Sequence, residues 1–216
     1  MTTQITNAPE IYQGQFGEFT ITESDRQSVI IYRMGLIVAA LSFAIATILA
    51  LFNPSQAAIE VITPLYTCFS LALGVSLLTI HIYMSSLHRI LQIFWLIGSI
   101  TALIIGYADS LPFAMTVYNQ PLTLLGIGFT FAALTGIYFK EAFCFNRLET
   151  KILTPIVPVL LLGHLVKILP TQAEQVLLAT WAILFFVFAL RKTVQAIPQD
   201  IGDKSVFTYL KTAKNT

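Results

Sequence analysis

The chain has 216 residues, 56% apolar, 12% aromatic and only 11% charged, with a net charge of +1. A soluble domain carries roughly a quarter charged residues. This chain therefore cannot clothe its surface in polar groups, and its mean hydropathy of +0.78 points to lipid as its solvent.

The charge balance gives no reason to expect a nucleic-acid partner. Cys68 and Cys144, the only two cysteines, exclude a disulfide framework. The opening stretch MTTQITNAPEIYQGQFGEFTITESDRQ has no apolar core behind a basic start, and it carries Glu10, Glu18, Glu23 and Asp25. It is expected to be neither a secretory signal nor a transit peptide. Residues 1–24 read as a polar segment with a short extended piece, where Phe19 and Ile21 alternate with Thr20 and Thr22.

Ser24 and Gln27 have the spacing of a capping box, so the first helix is expected from about Asp25, with its membrane span at 34–52. NPSQ at 53–56 breaks it. Thr63 followed by Pro64 reads as a cap and first helical residue, giving a second span at 63–84. SSLHR links it to a third at 90–108. After the loop DSLPFAMTVYNQ, Pro121 opens a fourth span at 121–139. The fifth, 152–170, has Pro155 and Pro158 in its first turns and ends at Pro170. Thr171 and Glu174 form a second capping-box pattern, opening a span at 174–190.

The tail, 193–216, is polar, with a small apolar group, Val206, Phe207 and Leu210. Spans of about 20 residues match a ~30 Å hydrocarbon layer. The expected fold is all-α: one polytopic membrane domain (25–192) of six transmembrane helices.

Six spans place both termini on one side, together with the 2–3 and 4–5 loops. That side holds Arg26, Arg33, Arg89, Lys140, Arg147, Lys151, Arg191, Lys192, Lys204, Lys211 and Lys214, against Lys167 alone on the other. Basic residues stay cytoplasmic during insertion, so both termini are expected in the cytoplasm. Small residues at four-residue spacing, Gly128–Ala132–Gly136 and Ser42–Ala46–Ala50, suggest faces of close helix approach.

His164 is the only titratable residue expected deep in a span, about 15 Å from the cytoplasmic side. An intramembrane ionisable group suggests a proton relay, a ligand to metal, haem or chlorophyll, or a substrate contact. The preferred reading is a neutral histidine bonded to a neighbouring helix, because no carboxylate shares its depth. His81 and His88, in HIYMSSLHR, would share a helix face if the helix continued; at this level they read first as interfacial anchors. Clamping a haem between His81 and His164 is rejected, since their depths differ by on the order of 10 Å.

In FKEAFCFNRLETK, Cys144 follows Lys140 by four residues and precedes Arg147 by three. On one helix face those cations would favour thiolate, with His88 or His81 as a base. No phosphate loop, HExxH, CxxC or GxSxG is present. No metal site or cofactor is predicted; a pigment or haem at His164 is the one exception considered.

Five blocks, FTITESDRQSVIIYR (19–33), HIYMSSLHRILQ (81–92), FAALTGIYFKEAFCF (131–145), LLLGHL (160–165) and DIGDKSVFTYL (200–210), together resemble a family of small integral membrane proteins of cyanobacteria and plastids, characterised only as a domain of unknown function (DUF2301). The resemblance implies a six-span protein of a thylakoid or plasma membrane in a phototroph, and no activity or site residue.

The leading functional expectation is a non-enzymatic scaffold, assembly or stability factor for another membrane complex, with the bilayer and other membrane proteins as partners. Its cytoplasmic docking surface would comprise Arg26, Arg33, Arg89, Arg147, Asp200, Asp203 and Lys204, beside the Lys140–Glu141 pair. The alternatives are a small transporter or channel centred on His164, and an interfacial thiol enzyme using Cys144.

Overall fold

The computed structural model describes residues 10–212. Among them, six helices are long and apolar enough to cross a membrane. They are α1 (Glu23–Phe52), α2 (Gln56–Thr79), α3 (Ser85–Ala108), α5 (Leu124–Phe145), α6 (Leu148–Leu165) and α7 (Thr171–Thr193). A short α4 (Phe113–Asn119) and a 3-10 turn (Pro121–Thr123) bridge α3 and α5. An antiparallel hairpin, β1 (Ile11–Gly14) and β2 (Gly17–Thr20), precedes α1, and α8 (Ile197–Ile201) and α9 (Lys204–Thr212) follow α7.

Most of the spans begin or end away from their expected positions, for local physical reasons. The α1 capping box is made by Thr22 and Asp25, two residues before the Ser24–Gln27 pair. The Asp25 carboxylate accepts from the Thr22 N–H at 2.8 Å, and the Thr22 hydroxyl accepts from the Asp25 N–H at 3.2 Å. The first helix then runs unbroken into its apolar stretch. Helix α2 starts at Gln56 under a Ser55 cap, so Pro64 lies inside it. That proline deprives only the Glu60 carbonyl of its helical donor, and Glu60 is exposed.

Helix α2 stops at Thr79 because Ile80 turns extended, and α3 then begins at Ser85, taking in the whole of the expected SSLHR link. Helix α5 continues past Phe139 to Phe145, ending on left-handed Asn146. Helix α6 starts four residues early and carries Pro155 and Pro158 in its interior. It closes at Leu165 rather than Pro170: Lys167, left-handed at φ 57°, donates to the His164 carbonyl, and the Ile168 N–H donates to that of Gly163. This is a Schellman closure with lysine in the usual glycine place. The Thr171–Glu174 capping box does not form; α7 has no side-chain cap, because Glu174 is engaged elsewhere.

Helix α1 packs between α2 and α7, while α5 packs against α3 and α6. Their shared core is aromatic: Phe43, Phe69, Phe131, Trp181 and Phe185 touch in a continuous cluster. Close approach of α3 and α5 occurs at Gly98, which faces the Thr130 backbone, and at Gly136, which faces Leu91. Gly128 meets nothing within 4 Å, so the expected glycine stripe is not one contact face. Outward positions are large and apolar, with Leu78, Leu103 and Ile183 about two-thirds exposed at 65%, 59% and 64%. Such a surface suits lipid tails, and the helices pair their own backbone groups except at the carbonyls opposite the interior prolines.

The hairpin, α8 and α9 gather at one end of the bundle, called here the tail end. The α4 segment and the 3-10 turn close the far end.

Candidate functional site

Two polar constellations stand out in this apolar bundle, one at each end. At the tail end, four elements deliver charge into a buried cluster. Arg33 comes from α1, Lys140 and Glu141 from α5, Lys192 from α7 and Asp200 from α8. The Arg33 Nε and Nη2 both donate to Asp200 Oδ2, at 2.8 and 2.6 Å. Lys192 Nζ contacts Asp200 Oδ1 and lies 2.8 Å from Glu141 Oε2. Glu141 Oε1 takes Lys140 at 2.9 Å and the Tyr32 hydroxyl at 3.1 Å. Charges this deep persist only when paired. Here Arg33 and Lys192 balance Glu141 and Asp200, while Lys140 reaches in from the rim.

Phe145 supports the cations, with Lys192 Nζ 4.4 Å, Lys140 Nζ 5.3 Å and the Arg147 guanidinium carbon 5.9 Å from its ring centre. A second layer holds Arg147, which donates to Gln195 at 2.5 Å, and Glu149, which accepts from Arg191 at 2.8 Å.

Of the expected docking residues, Arg33 and Asp200 are turned inward, 7% and 4% exposed, and so are not available to a partner. Arg147 lies beyond the left-handed Asn146, off the helix that bears Cys144. Lys140 folds toward Glu141, while Cys144 is exposed, so the three do not form one cationic face around the thiol. Arg89 is exposed, Arg26 lies 3.8 Å from Glu23, and Lys204 lies 2.7 Å from Asp25.

Asp203 ties the chain ends together. It accepts from the Gln15 N–H at 2.6 Å and the Ser205 hydroxyl at 2.6 Å, and its own N–H donates to Tyr83 Oη at 2.5 Å. The Ser205 hydroxyl and the Gln15 N–H hold its carboxyl below the usual aspartate range.

The helix break at 80–84 separates His81 from His88, so they do not share a face. The ring nitrogen Nε2 of His88 donates to the Leu77 carbonyl at 2.6 Å, closing the end of α2. His81 sits in the link, where burial disfavours its charged form and pushes its pKa down. Among the described residues, no three His, Cys, Asp or Glu side chains converge as a metal site.

The far end holds a cavity of about 620 Å³, well within the size range of small-molecule sites. Helices α1, α2, α4, α5, α6 and α7 all contribute to its wall. The lining is apolar in depth, with Tyr66, Phe113, Ile127 and Phe131 among its residues, and among the described residues its only acid–base pair is His164 with Glu174. His164 Nδ1 lies 2.7 Å from Glu174 Oε1, and Nε2 donates to the Tyr118 carbonyl at 3.1 Å.

Two expectations are corrected here. His164 occupies the last turn of α6, about 24 Å from the helix start, and so is at the far end rather than mid-span. A carboxylate does share its depth, because α7 turns back immediately and presents Glu174. With both ring nitrogens engaged, neither is open to a haem or chlorophyll metal in this arrangement.

The profile of a family described as Uncharacterized integral membrane protein (DUF2301) matches residues 75–209. The chain belongs to this family. The matched region runs from late α2 into α9, and so includes Glu141, Lys192, Asp200, His164, Glu174 and the α4 segment. The FTITESDRQSVIIYR block, with Arg33 of the ionic cluster, lies before it. Membership makes the six apolar helices an integral, multi-pass membrane assembly in contact with the bilayer. No curated protein and no solved structure matches the chain.

Sequence reasoning missed Lys192, Glu149, Tyr32 and Glu174 as site residues. Lys192 looks like one more basic residue at a span end, and the Thr-x-x-Glu spacing of Glu174 reads as a cap. For Glu174 a usable signal existed: it lies ten residues after His164 across a Pro170 turn, close enough for the two to meet.

Proposed function

We propose that this protein binds a small, largely apolar molecule drawn from the bilayer, holds it in the far-end cavity against His164 and Glu174, and passes it on as a carrier or channel. The cavity supports this reading: a space of about 620 Å³ inside a small bundle, apolar in depth with one polar pair on its wall, has the make-up of a ligand site. The inward turn of Arg33 and Asp200 shifts weight from the scaffold reading to this one. Cys144, on which an enzyme reading would rest, lies at the opposite end of α5, about 30 Å away along the helix. The proposal involves no bond-making step. The skew of basic residues toward the tail end supports placing that end in the cytoplasm, and the family resemblance supports a membrane of a phototroph.

The test is organic extraction of the purified full chain, with mass spectrometry of the molecules it retains. Wild type should carry an apolar species that is absent from an Ala114→Trp variant, whose indole would fill the space beside α4. Identical extracts from two equally folded proteins would overturn the proposal.

A further inference from the structure

We infer that the ligand of the far-end cavity is an uncharged molecule whose polar head is a hydroxyl group, an alcohol or phenol on an apolar body. This rests on the cavity being a ligand site and adds the chemistry of the head. The argument begins with the proton count of the pair. A backbone carbonyl only accepts, so His164 Nε2 carries a proton toward Tyr118. The 2.7 Å contact between Nδ1 and Oε1 needs one further proton between them, on one atom or the other. Either placement, imidazolium with carboxylate or imidazole with carboxylic acid, gives a net charge of zero.

Among the described residues, no other acidic or basic side chain lines the cavity except the phenols Tyr66 and Tyr118. A carboxylate or ammonium head would thus enter without a counter-ion, which apolar surroundings penalise heavily.

The second oxygen of Glu174 then decides between neutral heads. In both proton placements Oε2 bears lone pairs and no hydrogen, and it has no hydrogen-bond partner among the described residues. The Glu174 side chain is 13% exposed and lines the cavity, so a molecule that fills the cavity displaces water from Oε2 and must itself satisfy that oxygen. An ether, ketone or ester would present lone pairs to lone pairs there. A hydroxyl donates to it and leaves nothing unpaired. Asn119, Thr171 and Gln175 also line the cavity but are exposed at its rim, where water satisfies them. The molecule would therefore sit with its hydroxyl at Glu174 and its body toward Phe131 and Ile127.

The test uses the full chain in lipid nanodiscs with tritiated decanol as probe, empty nanodiscs as blank, and unlabelled decanol, decyl methyl ether, decanoate and decylamine as competitors. Saturable binding is expected, with the ether, acid and amine each at least about tenfold weaker than the alcohol. Glu174→Gln should keep saturable binding and the preference for the alcohol, because its amide N–H donates to the bare Nδ1 and its oxygen faces the ligand in the place of Oε2, whereas His164→Phe with Glu174→Leu, which removes both acceptors, should bring alcohol and ether within about threefold of each other. Saturable binding in which the ether equals the alcohol, or in which the acid or amine competes best, would overturn the head-group assignment and leave the cavity reading standing. Binding no greater than that of empty nanodiscs, or unchanged in Ala114→Trp, would overturn the cavity reading and this inference with it.

Discussion

Replacing Asp200 with asparagine should cost this protein more stability than its single lost charge suggests. Among the described residues Asp200 is the sole ionic partner of Arg33, through contacts of 2.8 and 2.6 Å to one oxygen, with side-chain exposures of 8% and 2%. Its other oxygen serves Lys192 and Gln195. In Asp200→Asn, Lys192 keeps Glu141, but Arg33 keeps only the Ala196 carbonyl at 3.3 Å and a neutral amide. A buried lysine can escape by shedding its proton; a guanidinium cannot. Breaking one side of a buried pair costs about 3–5 kcal/mol, a large share of a folded domain's roughly 5–15 kcal/mol.

The reverse variant, Arg33→Met, leaves Asp200 with Lys192 and Gln195 and should cost only about 1–3 kcal/mol. Removing both charges together, Arg33→Met with Asp200→Asn, should cost clearly less than the sum, because no charge is stranded. Reversible unfolding in mixed micelles with rising dodecyl sulfate, followed by the fluorescence of Trp95 and Trp181, measures all three. A loss below about 1 kcal/mol for Asp200→Asn, or strict additivity in the double variant, would mean that water reaches the cluster and that the buried-pair reasoning fails.

The tail end should also loosen in acid in two stages. His81, with its pKa pushed below the ordinary 6.5 mainly by burial, contributes stability that is full above that value and drains as pH falls through the lower folded one. Asp203, held below 3.8, keeps its ties to Gln15 and Ser205 until pH falls further. Amide exchange should therefore quicken first in the 80–84 link and only later in the hairpin, and His81→Asn should remove the first stage. Exchange in the reverse order would contradict the assignment. Gly98→Leu should separate α3 from α5 at Thr130 and cost about 1–3 kcal/mol in the same micelle assay; an unchanged midpoint would show that the two helices have slack there.

What could be read in the sequence was whatever depends on solvent. Six apolar runs and a shortage of charge suffice to give the number of spans, because lipid imposes that pattern locally. Helix ends were less legible, since competing signals decide them. Pro64 resembles a helix start, yet Ser55 upstream offers a cap and nothing between breaks the helix. Thr171 and Glu174 have the right spacing for a cap, but Glu174 gains more from His164 in a partly dry cavity. The ionic cluster was the least legible part. Lys140 and Glu141 drew attention as neighbours, whereas their real complement, Lys192 with Asp200 and Arg33, is assembled across the fold. Each of those three has an ordinary local explanation, and only the packing of α1, α5, α7 and α8 gives them a common one.

The pairing of Arg33 with Asp200 also sets a timetable for biogenesis. The two residues are 167 positions apart, and chains emerge from the ribosome N-terminal end first. Arg33 thus enters the membrane region on the first helix while its neutralising carboxylate is still untranslated, and it stays unmatched until the 167 residues that separate the two have been made. Throughout that interval it must remain near the lipid head groups, as an arginine at a span end can. The hairpin waits as well, since its tether at Asp203 is made later still. The tail end can therefore close only once synthesis has passed Asp203, and truncation before Asp200 would leave the first helix with a permanent unpaired charge.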